Sequence, residues 1–353
     1  MTTNQMASVK PTRPWQKTPR EILPSVIIYV LVALLVAIIV ETTGFKGKLA
    51  YIGLFIPIGT TAQFAWARYK YGLKAAKDVI ASSIMATGAI AVFIPVISIL
   101  LTTFIKGLPG ISLGLFTNDM GEASFTDPVG SGGLLHAIVG TLFLIILSVA
   151  ISVPMGILTA LYLTEIKGPG SRFIQFMVQA MSGVPSVVAG LFIFSAVILT
   201  TPLDTSGFVA SLALSILMVP TVTRASQEVL LLIPNDLREA GLAMGATQWR
   251  TVAMIVVPAA KSGLITASIL GVARIAGETA PLIFTLGGAD KLNTNPVSGI
   301  QAALPFYIWS GFRLGTEESV QRSWSAILVL LVIVLSLFTI ARVIGSKQKG
   351  ARK

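Results

Sequence analysis

Long apolar runs alternate with short polar stretches along the whole chain. Runs close to the length that crosses about 30 Å of hydrocarbon fall at 22–40, 49–66, 79–104, 134–163, 173–200, 208–223, 251–286 and 324–344. Eight such runs predict an all-α membrane protein, a polytopic bundle of about eight transmembrane helices. Prolines interrupt most of them: Pro57, Pro95, Pro154, Pro185, Pro220, Pro258 and Pro281. Each removes an amide donor and crowds the carbonyl four residues earlier, so the helix kinks unless neighbours or water satisfy the freed group. One such proline is ordinary bending; as a set they fit a protein that must move.

Composition agrees with this solvent and adds an orientation. Of 353 residues, 54% are hydrophobic and only 12% charged, with a mean hydropathy of +0.83, against roughly 25% charged in a soluble domain. The absence of cysteine and the single histidine, His136, exclude disulfides, thiolate-bound metal and multi-histidine metal sites. A net charge of +11 would suit nucleic acid, but its placement gives another account. With the N-terminus in the cytoplasm, segments 10–20, 68–77, 167–172, 224–250 and 342–353 hold eighteen lysines and arginines. The opposite side holds six: Lys46, Lys48, Lys106, Lys291, Arg313 and Arg322. That asymmetry is the positive-inside bias, so the lipid bilayer accounts for the charge and no nucleic acid is needed. The first run follows "KPTRPWQKTPR" without a small-residue cleavage pattern and reads as an anchor.

The segment between the sixth and seventh runs carries the most information: "RASQEVLLLIPNDLREAGLAMGATQWRTVAMIVVP", residues 224–258. Its "ASQEVLLLI" has helical spacing, "PND" offers a turn with an N-cap at Asn235 or Asp236, and "LREAGLAMGATQWR" restarts as a short amphipathic helix. From periodicity alone, such a helix lies at the headgroups or docks on a soluble partner. The exact order of Glu239, Ala240, Gly241, Gly245 and, nine residues on, Ile255 to Pro258 resembles the EAA loop of ATP-binding-cassette importer permeases. Two positions depart from it, Gly241 where alanine is usual and Val257 where leucine is usual. The resemblance implies a coupling helix seated in a cleft of a separate ATPase, with Glu239, Ala240, Gly241, Gly245 and Pro258 as its key positions. The chain itself has no GxxxxGK[ST] loop for ATP phosphates. It is therefore expected to bind no cofactor, with ATP and Mg held by the partner.

Within the seventh run, "GVARIAGETAPLIF" sets Arg274 and Glu278 four positions apart in apolar surroundings. On a continuous helix they face the same way, with Arg274 about 24 Å along the axis from Pro258. Intramembrane charge is costly and faces the bundle interior or a watery cavity. The default reading of such a pair is functional, with a permanent strut that locks the helix to its neighbours as the alternative. Pro281 just beyond it loosens the helix end, which suits a gate or binding site.

Residues 273–285, "ARIAGETAPLIFT", resemble the segment that marks the PstA family, one of two permease subunits of bacterial high-affinity phosphate importers. The resemblance covers roughly residues 80–345 and six spans, dividing the chain into an N-terminal extension, 1–78, with two further helices, and a permease core, 79–353. It implies a bacterial plasma membrane location, a second permease of the PstC type, a PstB-type ATPase dimer and a PstS-type extracytoplasmic phosphate-binding protein. It also implies a phosphate path through Arg274, Glu278 and Thr279. "MSGVPSVVAG", residues 181–190, breaks the fifth run and offers Ser182 to the same path, although close packing through small residues explains it equally. The residues alone leave open a permease for sulfate or molybdate, or a self-sufficient secondary transporter. Arg224 and Glu228 read as a solvated boundary pair. His136 near Ser131 lacks a GxSxG context and an acidic third partner, so no enzyme is expected. Asp119, Glu122 and Asp127 make the loop after Lys106 acidic.

Overall fold

The computed structural model describes residues 19–43 and 47–346. The basic positions at 10, 13, 17, 46 and 347–353, and with them the expected cytoplasmic N-terminus, lie outside the described residues. Contacts fall into two compact units, Met1–Leu100 and Leu101–Lys353.

The first unit contains α1 (Pro19–Thr43), α2 (Lys48–Tyr71) and most of α3 (Leu73–Gly107). α1 and α2 pack around Val32, Val36 and Val40. Gln63 on α2 spends its polar head inside this pair, donating from Nε2 to the Ser25 carbonyl at 2.9 Å. α2 occupies the second expected span, but Thr60, Thr61 and Gln63 make it more polar than α1 and α3. Among the described residues six helices are long and apolar enough to cross a membrane: 23–43, 73–110, 135–166, 207–231, 248–275 and 317–343. A seventh is counted if a bent pair, described below, is one span.

The second unit continues through α4 (Leu113–Thr117), α5 (Leu135–Leu161), α6 (Ser171–Ser182), α7 (Ser186–Ile193) and α8 (Gly207–Leu231). Two short helices, α9 (Asn235–Ala243) and α10 (Gln248–Thr251), lead into α11 (Val257–Ile275). α12 (Leu282–Thr285), α13 (Leu304–Leu314) and α14 (Glu317–Ser346) complete it. α8 is the spine, packed against α5 on one side and α11 on the other. Lipid tails are as apolar as leucine, so helices associate by close approach and not by escape from water. Accordingly Gly156 of α5 faces Val222 of α8, and Gly271 of α11 faces Val222 and Met218. Leu144, Leu214, Met218, Val222, Ile275 and Leu282 fill the space between.

Three turns are widened to π geometry: Tyr162–Ile166 after α5, Phe194–Ile198 after α7 and Val252–Val256 before α11. The last sits where Pro258 has no amide to offer the Met254 carbonyl, so the irregular turn falls beside a proline as expected. At the opposite end of the bundle, Arg322 of α14 is fully buried. Its Nη2 donates to the carbonyls of Asp127 at 3.2 Å and Pro128 at 2.7 Å, pinning the loop after α4 onto α14.

Candidate functional site

Two breaks in the helices organise the middle of the second unit. α6 and α7 are bent by 105° across Gly183, Val184 and Pro185, as "SGVPS" predicts. α11 ends at Ile275, and the chain turns through Ala276 and Gly277 before Pro281 starts α12. The breaks pack on one another: a Cβ on Gly190 of α7 would lie 2.7 Å from Pro281 Cα and 3.0 Å from its oxygen. Thr285 closes the second break by donating to the Pro281 carbonyl at 2.9 Å.

This geometry changes the expected Arg274–Glu278 arrangement. The span expected to run to residue 286 stops as a helix at Ile275, so the four-residue spacing no longer sets the two side chains on one face. They form no ion pair; among the described residues that interaction is found at Arg238 and Glu165. The half-buried Glu278 and Thr279 belong to the turn, where the Glu278 amide bonds the Ile275 carbonyl at 3.1 Å and the Leu282 amide bonds the Thr279 carbonyl at 3.0 Å.

Arg274 instead lines a cavity of about 320 Å³ between α6, α8 and α11. Ser182 lines the same cavity, as do Arg224, Glu228, Thr221 and Pro220 of α8. The structure thus brings Ser182 and Arg274 together, leaves Glu278 and Thr279 off the lining, and adds a second guanidinium with a carboxylate. Ser182 Oγ currently donates to the Val178 carbonyl at 2.8 Å, so it must swing to serve a ligand. Neither arginine is hydrogen-bonded or ion-paired, which leaves both forks available to an anion. Arg224 and Glu228 were legible in one respect. α8 runs unbroken to Leu231, and Leu217, Thr221, Arg224 and Glu228 follow at spacings of four, three and four on one helical stripe.

The second candidate surface is the loop 235–250. α9 starts after Pro234 with no side-chain cap, so neither Asn235 nor Asp236 is the expected N-cap. Gly241 is buried, and a Cβ there would meet Ile255 Cδ1 at 2.7 Å and Thr251 Cγ2 at 2.8 Å. That contact explains glycine where alanine is usual. Gly245 has φ +81° in open space, a turn that glycine adopts without Cβ strain. Glu239 and Ala240 face out, Pro258 is exposed on the first turn of α11, and Met244 and Trp249 are 88% and 63% exposed. Thr247 caps α10 by accepting from the Arg250 amide.

At the far end, the acidic loop is folded around Asp119. Its carboxylate accepts from the amides of Leu292 at 2.9 Å and Gly121 at 3.0 Å, which hold it below the ordinary carboxylate value. His136 is buried with its ring edge-on to Tyr307, and no hydrogen bond joins it to Ser131 among the described residues.

Residues 152–350 match the family model described as binding-protein-dependent transport system inner membrane component. The phosphate transport system permease protein PstA 1 of Mycobacterium tuberculosis (strain ATCC 25618 / H37Rv) is 34% identical over 263 residues, 74% of this chain and 85% of its own. The phosphate transport system permease protein PstA of Haemophilus influenzae is 37% identical over 255 residues, 68% of this chain and 84% of its own. Among solved structures, an inward-facing MetNI methionine ABC transporter matches 61% of this chain and 92% of its own at 18% identity and a TM-score of 0.45, too loose a likeness to carry an argument.

Proposed function

The chain belongs to the family of binding-protein-dependent transport system inner membrane components, among its PstA phosphate permeases, and from that premise we propose how its residues serve import. It is a multi-pass membrane protein, the permease subunit of an ATP-driven inorganic phosphate importer. In our reading it lies in a bacterial plasma membrane, forms the path with a second, PstC-like permease, and receives phosphate from a PstS-like binding protein. A PstB-like ATPase dimer holds ATP and Mg and docks on Glu239, Ala240 and the turn at Gly245. The exposed acid, the small residues and the apolar Met244 suit a close-fitting cleft.

The observation that carries the substrate path is the cavity onto which Arg274, Arg224 and Ser182 open together. Two planar forks match the oxygens of a tetrahedral anion and offset its charge better than one. Glu228 supplies counter-charge when the cavity is empty and repels a second anion when it is full. Glu278 and Thr279, in the turn beyond α11, act in this reading as the flexible end of the arginine-bearing helix, while Pro281 and Gly190 fix its far side.

Uptake of labelled phosphate by cells lacking the chain and supplied with variants tests this. Wild type restores uptake that excess sulfate leaves unchanged. Arg274→Gln and Arg224→Gln each lower it about ten- to hundredfold, the worth of a charged hydrogen bond, with the complex still recovered whole from the membrane. Sulfate competition would move the substrate to another oxyanion, and loss of the complex would make the arginines struts.

A further inference from the structure

The further inference concerns how the loop 235–250 grips the bundle, and it rests on reading that loop as the ATPase-docking segment. α9 packs chiefly on α10 and on the widened turn Val252–Val256, both continuous with α11. The short link 232–234 ties it to the end of α8 along the chain, and the side chain of Arg238 carries its hydrogen bonds to α5 and α8. Arg238 has five N–H groups, and all five are engaged. Nε donates to Glu165 Oε2 at 2.8 Å, and Nη2 donates to Glu165 Oε1 at 2.7 Å and to the Leu230 carbonyl at 2.9 Å. Nη1 donates to the Ile233 carbonyl at 2.7 Å and to Asn235 Oδ1 at 3.2 Å.

The Glu165 side chain is 4% exposed and that of Arg238 21% exposed. Glu165 stands in the widened turn at the end of α5, and its own carbonyl accepts from Gln248 Nε2 at 2.7 Å, which brings α10 to the same point. The Leu230 carbonyl lies in the last turn of α8, where it also accepts from the Ile233 amide at 3.2 Å and where a cation is favoured. One guanidinium therefore joins α5, α8 and α9. The bidentate fork fixes direction as well as distance, which a lysine at this place would not do. The next residue, Glu239, points outward without a partner, so adjacent positions divide the inward grip from the outward contact.

We propose that the Arg238–Glu165 pair is the joint through which movement of α9 is passed to α5 and α8, a positioning pair for energy coupling that lies outside the substrate path. Without it, α9 loses its bond to the end of α5 and keeps only the chain link 232–234 to α8, while its packing on α10 and the widened turn holds it to α11.

The test is phosphate moved per ATP hydrolysed by the complete importer in proteoliposomes, with its ATPase and loaded binding protein. Arg238→Gln and Glu165→Gln each lower that ratio about fivefold or more, and the double variant is no worse than the poorer single one, as expected of one shared interaction. The chain has no cysteine, so Glu165→Cys with Arg238→Cys can be bridged by a reducible bis-methanethiosulfonate. Bridging restores the ratio and reductant removes it again, a reversal that a folding defect would not show. An unchanged ratio in the single variants, additive losses in the double one, or bridging without effect would overturn the joint. A wild-type complex without phosphate-linked hydrolysis would instead overturn the permease reading, and the joint with it.

Discussion

At the scale of single residues, the structure separates glycines that look alike in sequence. Gly190 has Pro281 backbone where a Cβ would go, and backbone cannot move aside cheaply. Gly190→Ala is expected to cost roughly 1–3 kcal/mol, seen as a lower unfolding midpoint of the purified complex. Gly277, in the segment that names the family, has nothing within 4 Å and no left-handed φ, so Gly277→Ala should change that midpoint little. The reverse ranking would show that the two breaks do not pack together. The same scale shows what the residues revealed and what they hid. Arg274 and Ser182 were legible, because a charge in an apolar run and a serine beside Pro185 both contradict their surroundings. Glu278 was misplaced because a helical period was carried past Gly277 toward Pro281. Arg224 was read as half of a solvated boundary pair because its place on the cavity lining depends on where α6 and α11 fold back, which lies outside any single stripe.

At the scale of elements, the run lengths located the helices, while their ends were set by contacts that periodicity does not contain. α8 runs past its apolar stretch to Leu231, as the helical spacing of "ASQEVLLLI" predicts, while the hydrogen bond from Arg238 to the Leu230 carbonyl in its last turn was not legible. The paired breaks were half legible, the proline in each being visible and their mutual packing not. Two predictions belong here. Gly245→Ala places a Cβ at φ +81°, a strain of about 1 kcal/mol; the turn should loosen and transport should fall while ATP hydrolysis by the complex continues. The second concerns the loop around Asp119, whose carboxylate is stabilised by two amides and so holds a lowered value. Its contribution is complete above the ordinary 3.8 and is lost as pH falls through the lowered value. Asp119→Ala should remove about 1 kcal/mol at neutral pH and abolish that acid-dependent step in loop proteolysis.

At the scale of the whole molecule, the expected orientation can be read chemically because no native thiol competes. Single cysteines at Lys167 and Arg250 should react with an impermeant reagent only from the cytoplasmic side, and one at Lys291 only from outside. The opposite pattern would invert the topology and move the docking loop away from any cytoplasmic ATPase. The widened turn Val252–Val256 has a consequence at this scale too. A π turn holds one residue more than an α turn, and each residue on a helix advances about 100° in azimuth. The helix carrying Arg274 and the loop carrying Glu239 are therefore separated by a phase step as well as a distance. Losing one residue at Ala253 would let the widened turn close towards ordinary helix, with only the Met254 carbonyl still facing the amide-less Pro258, yet turn the docking loop about a quarter of the way round its axis. With the ATPase docked as proposed above, the count of residues between Gly245 and Pro258 clocks the direction in which the machine is driven.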